Sequence, residues 1–473
     1  MNPTRQSRAT LLASLPPEWP TTLLPQIRAQ IQAVGRTLVV LDDDPTGTQT
    51  VYDVPVLTTW TLDALQAELA HAPPVFYILT NSRSLPLAQA QAMNREIGTN
   101  LRQAAQQTGR AVAVVSRSDS TLRGHYPGEV DALAASLRGP DEPEFDGDLI
   151  IPFFLEGGRL TIDDVHYVAE GYDLIPAAET PFARDAAFGY THSHLPAWVE
   201  EKTEGRVPAT QVAAISLQTL RTQGPDAVTA QLLTLRARQP CVVNAVTLRD
   251  MEVFVAGLLG AEAQGKRFLY RTAASFVQIR AGLETQPLLD AAALEIAPGS
   301  GGLFVVGSHV PKTTGQVNAL LAQKQVHALE VDVARLLDDA TQAAEIARVI
   351  AAADTHLAQG AVVVIYTSRT LITGDDADSS LAIGQRVSAG LVAMVRGLHT
   401  RPGYLVAKGG ITSSDIATQA LNVQRAMVAG QILPGVPVWR TGAESRFPGL
   451  PYIVFPGNVG DDQALVTIMH NLS

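Results

Sequence analysis

Short β-branched runs alternate along this chain with longer segments rich in Ala, Leu and Gln, and a Gly/Ser/Thr/Asp turn separates most of them. In the first half the pattern appears as "TLVVLDDDPTGT" (37–48), "VFYILTNSRS" (75–84) ahead of "LAQAQAMNREIGTNLRQAAQQTG" (87–109), and "AVAVVSRSDSTLRG" (111–124). It returns in "LFVVGSHVPKTTGQVNALLAQ" (303–323), "AVVVIYTSRT" (361–370), "YLVAKGGITSSDIATQAL" (404–421) and "YIVFPGNVGDDQALVTIM" (452–469). Apolar runs of strand length, each followed by a helical segment, predict βαβ units and largely parallel sheets. The expected class is α/β, in two domains, each a largely parallel or mixed sheet flanked by helices.

The two clusters of units are separated by a different middle. Residues 139–210 hold "GPDEPEFDGD", "EGGRLTIDD" and "THSHLPAWVEEKTEG", with few long apolar runs. The stretch "PGSGG" at 298–302 reads as a linker. A boundary near 285–300 follows, with expected domains at 1–290 and 291–473. No internal repeat or low-complexity tract stands out.

Composition narrows the function classes. The 473 residues are 46% hydrophobic and 17% charged, ordinary for a globular protein with substantial cores. The formal net charge of −11, with no long Lys/Arg run, argues against nucleic acid as a general partner. A single cysteine, Cys241 in "PCVVNAV", excludes an intramolecular disulfide and a Cys-based zinc site; it reads as a small core residue. No run approaches the ~18 apolar residues of a membrane span, and the proline-broken N-terminus does not read as a signal peptide. The expected location is cytoplasmic, without a membrane partner.

In open parallel sheets, ligands bind beyond the carboxyl ends of the strands. The residues ending the apolar runs are therefore the candidates for chemistry. In the first half these are Asp42, Asp43, Asp44 and Thr46; Asn81, Ser82 and Arg83; and Ser116, Arg117, Ser118, Asp119, Ser120, Thr121 and Arg123. One turn is acidic and two are basic, which suits a ligand with two chemically distinct ends. Arginine's planar fork matches a carboxylate. Aspartate accepts a hydrogen bond, or a proton, from a hydroxyl. A small hydroxylated acid fits both. The plainer reading is that Asp42–Asp44 cap a helix and pair with those arginines, though a cap needs only one side chain.

The second half offers turns of another kind. "GSHVPKTTGQ" (307–316), "KGGITSSD" (408–415) and "PGNVGDD" (456–462) each follow an apolar run and lead into a helical stretch. Small turn residues bring backbone N–H groups close to a ligand, and a helix N-terminus favours negative charge. Hydroxyls of Ser308, Thr412, Ser413 and Ser414 can add hydrogen bonds to phosphate oxygens. None of these turns is a P-loop or a G-x-G-x-x-G fingerprint. Lys408 either neutralises a phosphate or supports its turn. His125 and His309 sit beside motif turns and are candidates for a substrate contact or a catalytic role. Arg159 lies on a glycine-flanked loop and is either a substrate contact or ordinary loop. His192 and His194 read as surface histidines.

Together, "DDDPTGTQ", "TNSRS", "RSDSTLRGH", "EGGRLT", "KGGITSSD" and "PGNVGDD" resemble, in order and over almost the whole chain, the four-carbon acid sugar kinase family. The resemblance implies an N-terminal domain for the acid sugar, a C-terminal domain for ATP, and an active site in the cleft between them. It assigns the acid sugar to Asp42–Asp44, Arg83 and Ser118–Arg123; Thr46, Asn81 and Arg117, which end the same apolar runs, are expected to contact it as well. It assigns the nucleotide to Ser308, Gly409, Gly410, Ile411, Thr412, Ser413, Gly457 and Asn458; His309, beside Ser308, is expected on the nucleotide side too. Members phosphorylate compounds such as threonate, erythronate and oxo-tetronates. Two departures fall on the substrate side: three aspartates with Pro45 where two aspartates are usual, and Arg117 where a lysine is common.

The expected function is thus ATP-dependent phosphorylation of a hydroxyl on such an acid. Arg83, Arg117 and Arg123 would anchor the carboxylate, Asp42 or Asp43 would take the hydroxyl proton, and Mg²⁺ would accompany ATP. Another aspartate of the triplet, or Asp461 or Asp462, would ligate the metal. The alternative is a non-catalytic acid-sugar or nucleotide sensor. A hydroxy-acid dehydrogenase is disfavoured because no G-x-G-x-x-G turn follows any strand. The expected assembly is a homodimer.

Overall fold

The computed structural model describes residues 5–308, 310–369, 377–457 and 459–472. They divide into two compact units: 1–51 with 59–285, and 52–58 with 286–473. The short return of 52–58 to the second unit departs from a single cut in the sequence. Its cause is backbone pairing: strand Val54–Leu57 runs antiparallel to Arg425–Leu433, with Val56 opposite Ala426. The "PGSGG" segment lies inside the second unit and leads into strand Gly302–Val306.

The first unit is built on a parallel sheet. Its strands run in the order Ala213–Ile215, Gln239–Val243, Gly147–Ile151, Phe268–Thr272, Val112–Arg117, Thr37–Asp42 and Val75–Leu79. The central strands carry apolar residues without alternation because helices cover both faces. All six residues of Thr37–Asp42 and all five of Val75–Leu79 are buried. Helix Leu87–Thr108 returns the chain between two of these strands and stops at Gly109, whose φ of 66° is left-handed. Cys241 is buried in its strand, as a small core residue should be.

The middle of the chain forms a separate antiparallel sheet in the same unit. Strands Arg159–Ile162, Val165–Glu170 and Asp173–Pro176 meander side by side, and Gln6–Ser7 pairs with the last. Its short strands, joined by tight turns, explain why this region lacks long apolar runs.

The second unit holds a mixed sheet in the order Val54–Leu57, Arg425–Leu433, Val436–Thr441, Pro451–Phe455, Tyr404–Lys408, Gly302–Val306, Val362–Thr367 and Val326–Val331. From Pro451–Phe455 onward the neighbours are parallel. The hairpin Arg425–Leu433/Val436–Thr441 is antiparallel. Its first strand alternates half-buried and buried residues, the pattern of a strand with one face on a core. Phe304, Val364, Val406, Ile453 and Phe455 belong to one apolar core with Leu465, Ile468 and Met469 of helix Ala464–Asn471. No helix among the described residues is long and apolar enough to cross a membrane.

Candidate active site

Parallel pairing fixes which side chains meet at the carboxyl edge of the first sheet. Asp42 is in register with Leu79 on one side and Arg117 on the other. The turns after these strands therefore converge. The acidic and basic residues expected at two ends of a ligand lie close enough to pair with one another.

Arg117 Nη1 approaches Asp42 Oδ1 at 3.3 Å, and both side chains are almost fully buried. Burial comes first in setting the Asp42 carboxyl, and with Asp43 and Asp44 nearby it outweighs Arg117 and raises it to about 8. Gly47 packs so tightly on Asp42 that a Cβ there would sit 1.8 Å from Oδ2. Asp42 is thus enclosed and protonated near neutrality, which does not suit a base.

Asp44 is opposite in character. Burial would raise its carboxyl, but the Arg83 guanidinium beside it and hydrogen bonds from the Thr46 hydroxyl and backbone N–H (2.9 Å) hold it below its ordinary value. Arg83 also reaches Asp119 at 3.3 Å and Asp43 at 4.0 Å, so one guanidinium spans three carboxylates. Asp119 closes the network through Arg123 Nε at 2.8 Å and the Thr121 hydroxyl. Against burial, Arg83 and Arg123 hold Asp119 well below the usual carboxylate range.

Asp43 differs from both neighbours. Its Oδ2 accepts from Ser118 Oγ at 2.7 Å. Its Oδ1 is buried and accepts no hydrogen bond, alone in this among the buried carboxylate oxygens of the described residues. An acceptor without a donor costs about 1–3 kcal/mol or more when charged. A donor supplied by a ligand would offset that cost.

Of the remaining first-unit candidates, Asn81 has a left-handed φ of 49° and directs the chain into the short turn Ser82–Ser84. Ser82 Oγ donates to Glu129 at 2.5 Å, and the Ser120 carbonyl contacts His166 Nε2 at 2.7 Å. His125 lies against the Leu85 carbonyl at 2.9 Å, and His192 and His194 are exposed. Arg159 and Arg123 both approach the Phe182 ring, at 5.6 and 5.1 Å, so the "EGGRLT" loop and the "STLRG" turn share a contact.

One residue escaped the sequence reading. Arg271, 2% exposed, donates from Nη2 to the carbonyls of Asp119 (2.8 Å) and Arg123 (3.0 Å), while Nε and Nη1 have no acceptor. It stiffens the 119–123 turn from beneath. "FLYRTAAS" obeys the rule used elsewhere, a charged residue closing an apolar run, and that rule would have found it.

In the second unit, strands Gly302–Val306, Tyr404–Lys408 and Pro451–Phe455 are neighbours, so their turns gather as well. Gly307 and Gly409 abut Thr412: a Cβ on Gly307 would lie 2.7 Å from Thr412 Oγ1, and one on Gly409 3.5 Å from it and 3.3 Å from Ser308 Cβ. Thr313 Oγ1 lies 3.3 Å from both Ser308 Oγ and the Gly457 carbonyl. Ser308, Gly409, Thr412 and Gly457 therefore form one cluster, with Gly410 and Ile411 on the same turn and Ile411 60% exposed. Ser413 instead turns inward, its hydroxyl donating to the Ala407 carbonyl at 2.7 Å. His309 and Asn458 lie outside the described residues.

Lys408 supports this cluster from below. Fully buried, it donates to the carbonyls of Pro456 (2.6 Å) and Gly457 (3.2 Å) and lies 3.8 Å from the Phe455 ring centroid. Burial, then the charge of Lys312, lowers its amine to about 7.

No group of three or more His, Cys, Asp or Glu side chains among the described residues forms a metal cage. Magnesium does not require one. It keeps several waters and takes one or two carboxylates beside substrate phosphates. The exposed carboxylates of Asp461 and Asp462, next to the 456–457 turn, suit that donor set.

The chain is similar to known proteins along most of its length. Residues 38–280 match the model of a sugar-binding N-terminal domain, and residues 303–465 that of a nucleotide-binding C-terminal domain. The 3-oxo-tetronate kinase of Methylobacterium radiotolerans is 29% identical over 77% of this chain and 81% of its own. The D-threonate kinase of Salmonella typhimurium is 26% identical over 84% and 88%. A 3-oxo-isoapionate kinase of Paraburkholderia graminis is 31% identical, but the match spans only 33% of this chain and 36% of that protein. A solved structure from Salmonella typhimurium LT2, provisionally described as a tRNA synthase, superposes with a TM-score of 0.65 at 19% identity, over 91% of this chain and 98% of that one. That likeness concerns the fold. The two matched domains, in this order and over these residues, place the chain in the four-carbon acid sugar kinase family.

Proposed function

We propose that this protein is an ATP-dependent kinase that phosphorylates a hydroxyl of a small four-carbon acid sugar of the threonate, erythronate or oxo-tetronate type, and that it works in the cytoplasm. The observation carrying this reading is Asp43 Oδ1: a buried carboxylate oxygen without a donor, at the carboxyl edge of a parallel sheet, within an arginine-rich network. A substrate hydroxyl supplies the missing donor, and Asp43 then takes its proton as the hydroxyl attacks. Asp42 is the poorer base because it already holds a proton near neutrality.

Arg83 and Arg123 neutralise Asp44 and Asp119 and stay partly exposed, at 19% and 27%. Thus they can hold the substrate carboxylate without leaving the aspartates unpaired. Arg117, committed to Asp42 and buried, sets the position of the acidic turn instead. Phosphoryl transfer asks a protein mainly for alignment and charge neutralisation. Ser308, Thr412 and the backbone of 409–412 and 457 suit ATP phosphates. Asp461 and Asp462 are the residues that would hold Mg²⁺, which supplies charge neutralisation on those phosphates.

The test is incubation with ATP, Mg²⁺ and a panel of four-carbon sugar acids, following ADP release. Release with one acid well above the ATP-only rate supports the kinase. Acids that raise the thermal midpoint without ADP release would replace it with a sensor.

A further inference from the structure

At the opposite, amino-terminal edge of the first unit's sheet lies a cavity of about 360 Å³, far from the aspartate turn. It is walled by Val112–Val114 at the start of one strand, by Phe268 and Tyr270 of the next, and by the end of helix Leu87–Thr108. Four arginines line it, Arg36, Arg102, Arg110 and Arg267, against two carboxylates, Glu142 and Glu262. In a chain of net charge −11 this is a local reversal of sign.

The carboxylates do not match the arginines. Glu262 is already paired with Arg280 at 2.8 Å and accepts from the Tyr270 hydroxyl at 2.5 Å; Arg36 stands farther off at 3.5 Å. Arg36 Nε is buried and has no acceptor. Glu142 belongs to Arg267, at 2.8 Å. Arg102 and Arg110 make no ion pair among the described residues; their guanidinium groups reach only neutral oxygens, of Arg138, Thr37 and Ala72. The helix end supplies roughly half a negative charge, too little to balance two arginines. A surplus of positive charge facing a cavity of this size is the chemistry of an anion site.

We propose that this cavity binds a small organic anion bearing phosphate or carboxylate groups, held by Arg36, Arg102 and Arg110. The arginine fork meets either group in two-point fashion. The site is separate from the proposed catalytic one and does not depend on that reading. The Val112–Arg117 strand links the two, running from this cavity to Arg117.

Calorimetry on the full chain, with inorganic phosphate and with citrate as probes, tests this and separates the two anion types. Wild-type protein should bind at least one probe, and Arg123→Gln, which removes a proposed carboxylate contact of the other site, should bind it equally well. The double variant Arg36→Gln/Arg102→Gln should bind about a hundredfold more weakly, a charge-assisted contact being worth about tenfold or more. Arg102→Gln alone, on a helix surface, should lose about tenfold and guards against a folding defect in the double variant. Undiminished binding by the Arg36→Gln/Arg102→Gln and Arg102→Gln variants, loss of binding in Arg123→Gln, or no binding of either probe by the wild type would each overturn the proposal.

Discussion

The two candidate sites occupy the same position in their sheets and are made of opposite materials. In the first unit the turns after Thr37–Asp42, Val75–Leu79 and Val112–Arg117 carry ionisable side chains that answer one another, Arg83 alone spanning three carboxylates. In the second, the turns after Gly302–Val306, Tyr404–Lys408 and Pro451–Phe455 present glycines and hydroxyls, and the buried Lys408 points at backbone. Side-chain charges select a small ligand by the placement of its groups. Backbone and hydroxyls accept phosphates common to many ligands. The contrast suits an enzyme whose specificity resides in one unit and whose phosphoryl donor is bound by the other.

The largest expected effect comes from Asp43→Asn. Asparagine keeps the shape and can still accept from Ser118, but it cannot take a proton. Turnover should fall by about 100-fold or more, while ATP affinity, measured by calorimetry, stays within about twofold. Equal loss of ATP affinity would erase the division of labour.

Arg83→Gln tests the first unit's reliance on paired charge. It leaves the half-buried Asp44 and Asp119 without their common partner. Breaking a fully buried pair from one side costs about 3–5 kcal/mol, and this half-buried one about 2–3 kcal/mol. Urea unfolding should show a loss of that order, with activity abolished. A loss under about 1 kcal/mol, the range of surface pairs, would mean the network is solvated in solution.

Gly409→Ala is the corresponding change in the second unit. With φ at 112° and ψ at 142°, Gly409 occupies backbone space that is nearly reserved for glycine. The expected penalty is about 1–3 kcal/mol, accompanied by a rise in KM for ATP and none for the acid. A shift in the acid's KM alone would break the comparison.

Much of this contrast was legible in the residues. The apolar runs marked the strands, and inspection of the residues that end them found Asp42–Asp44, Arg83 and Asp119 as well as Gly409 and Thr412. Pairing was not legible, because register decides it. Nothing local to Arg117 indicates that Asp42 lies beside it, or that Ser413 turns inward while Thr412 joins the cluster. The excursion of 52–58 was hidden for the same reason: a four-residue strand declares its partner only through a hairpin more than 350 residues away. Arg271 was missed although its run obeyed the rule, since in "FLYRT" the charge looks like part of the strand.

The smallest effect, counted per pH unit, is that of protonation, where the two units should lean in opposite directions. Asp42 is raised from 3.8 to about 8 on folding. Between those values the folded state holds a proton that the unfolded state has released, so rising pH favours unfolding. Asp42's contribution is complete below about pH 4 and is lost as pH climbs through 8. Lys408 is lowered from 10.5 to about 7. Between those values it is the unfolded state that holds the extra proton, so rising pH favours folding, and a penalty present below pH 7 is relieved toward 10.5. One proton gives a slope of at most about 1.4 kcal/mol per pH unit. Asp42→Asn and Lys408→Met remove these terms separately. Wild-type stability minus that of Asp42→Asn should fall from pH 5 to 8, and wild-type minus Lys408→Met should rise from pH 7 to 10. If both differences are flat, or share a sign, neither burial nor neighbouring charge perturbs these groups as their surroundings require. The two turns would then be distinguished by shape alone.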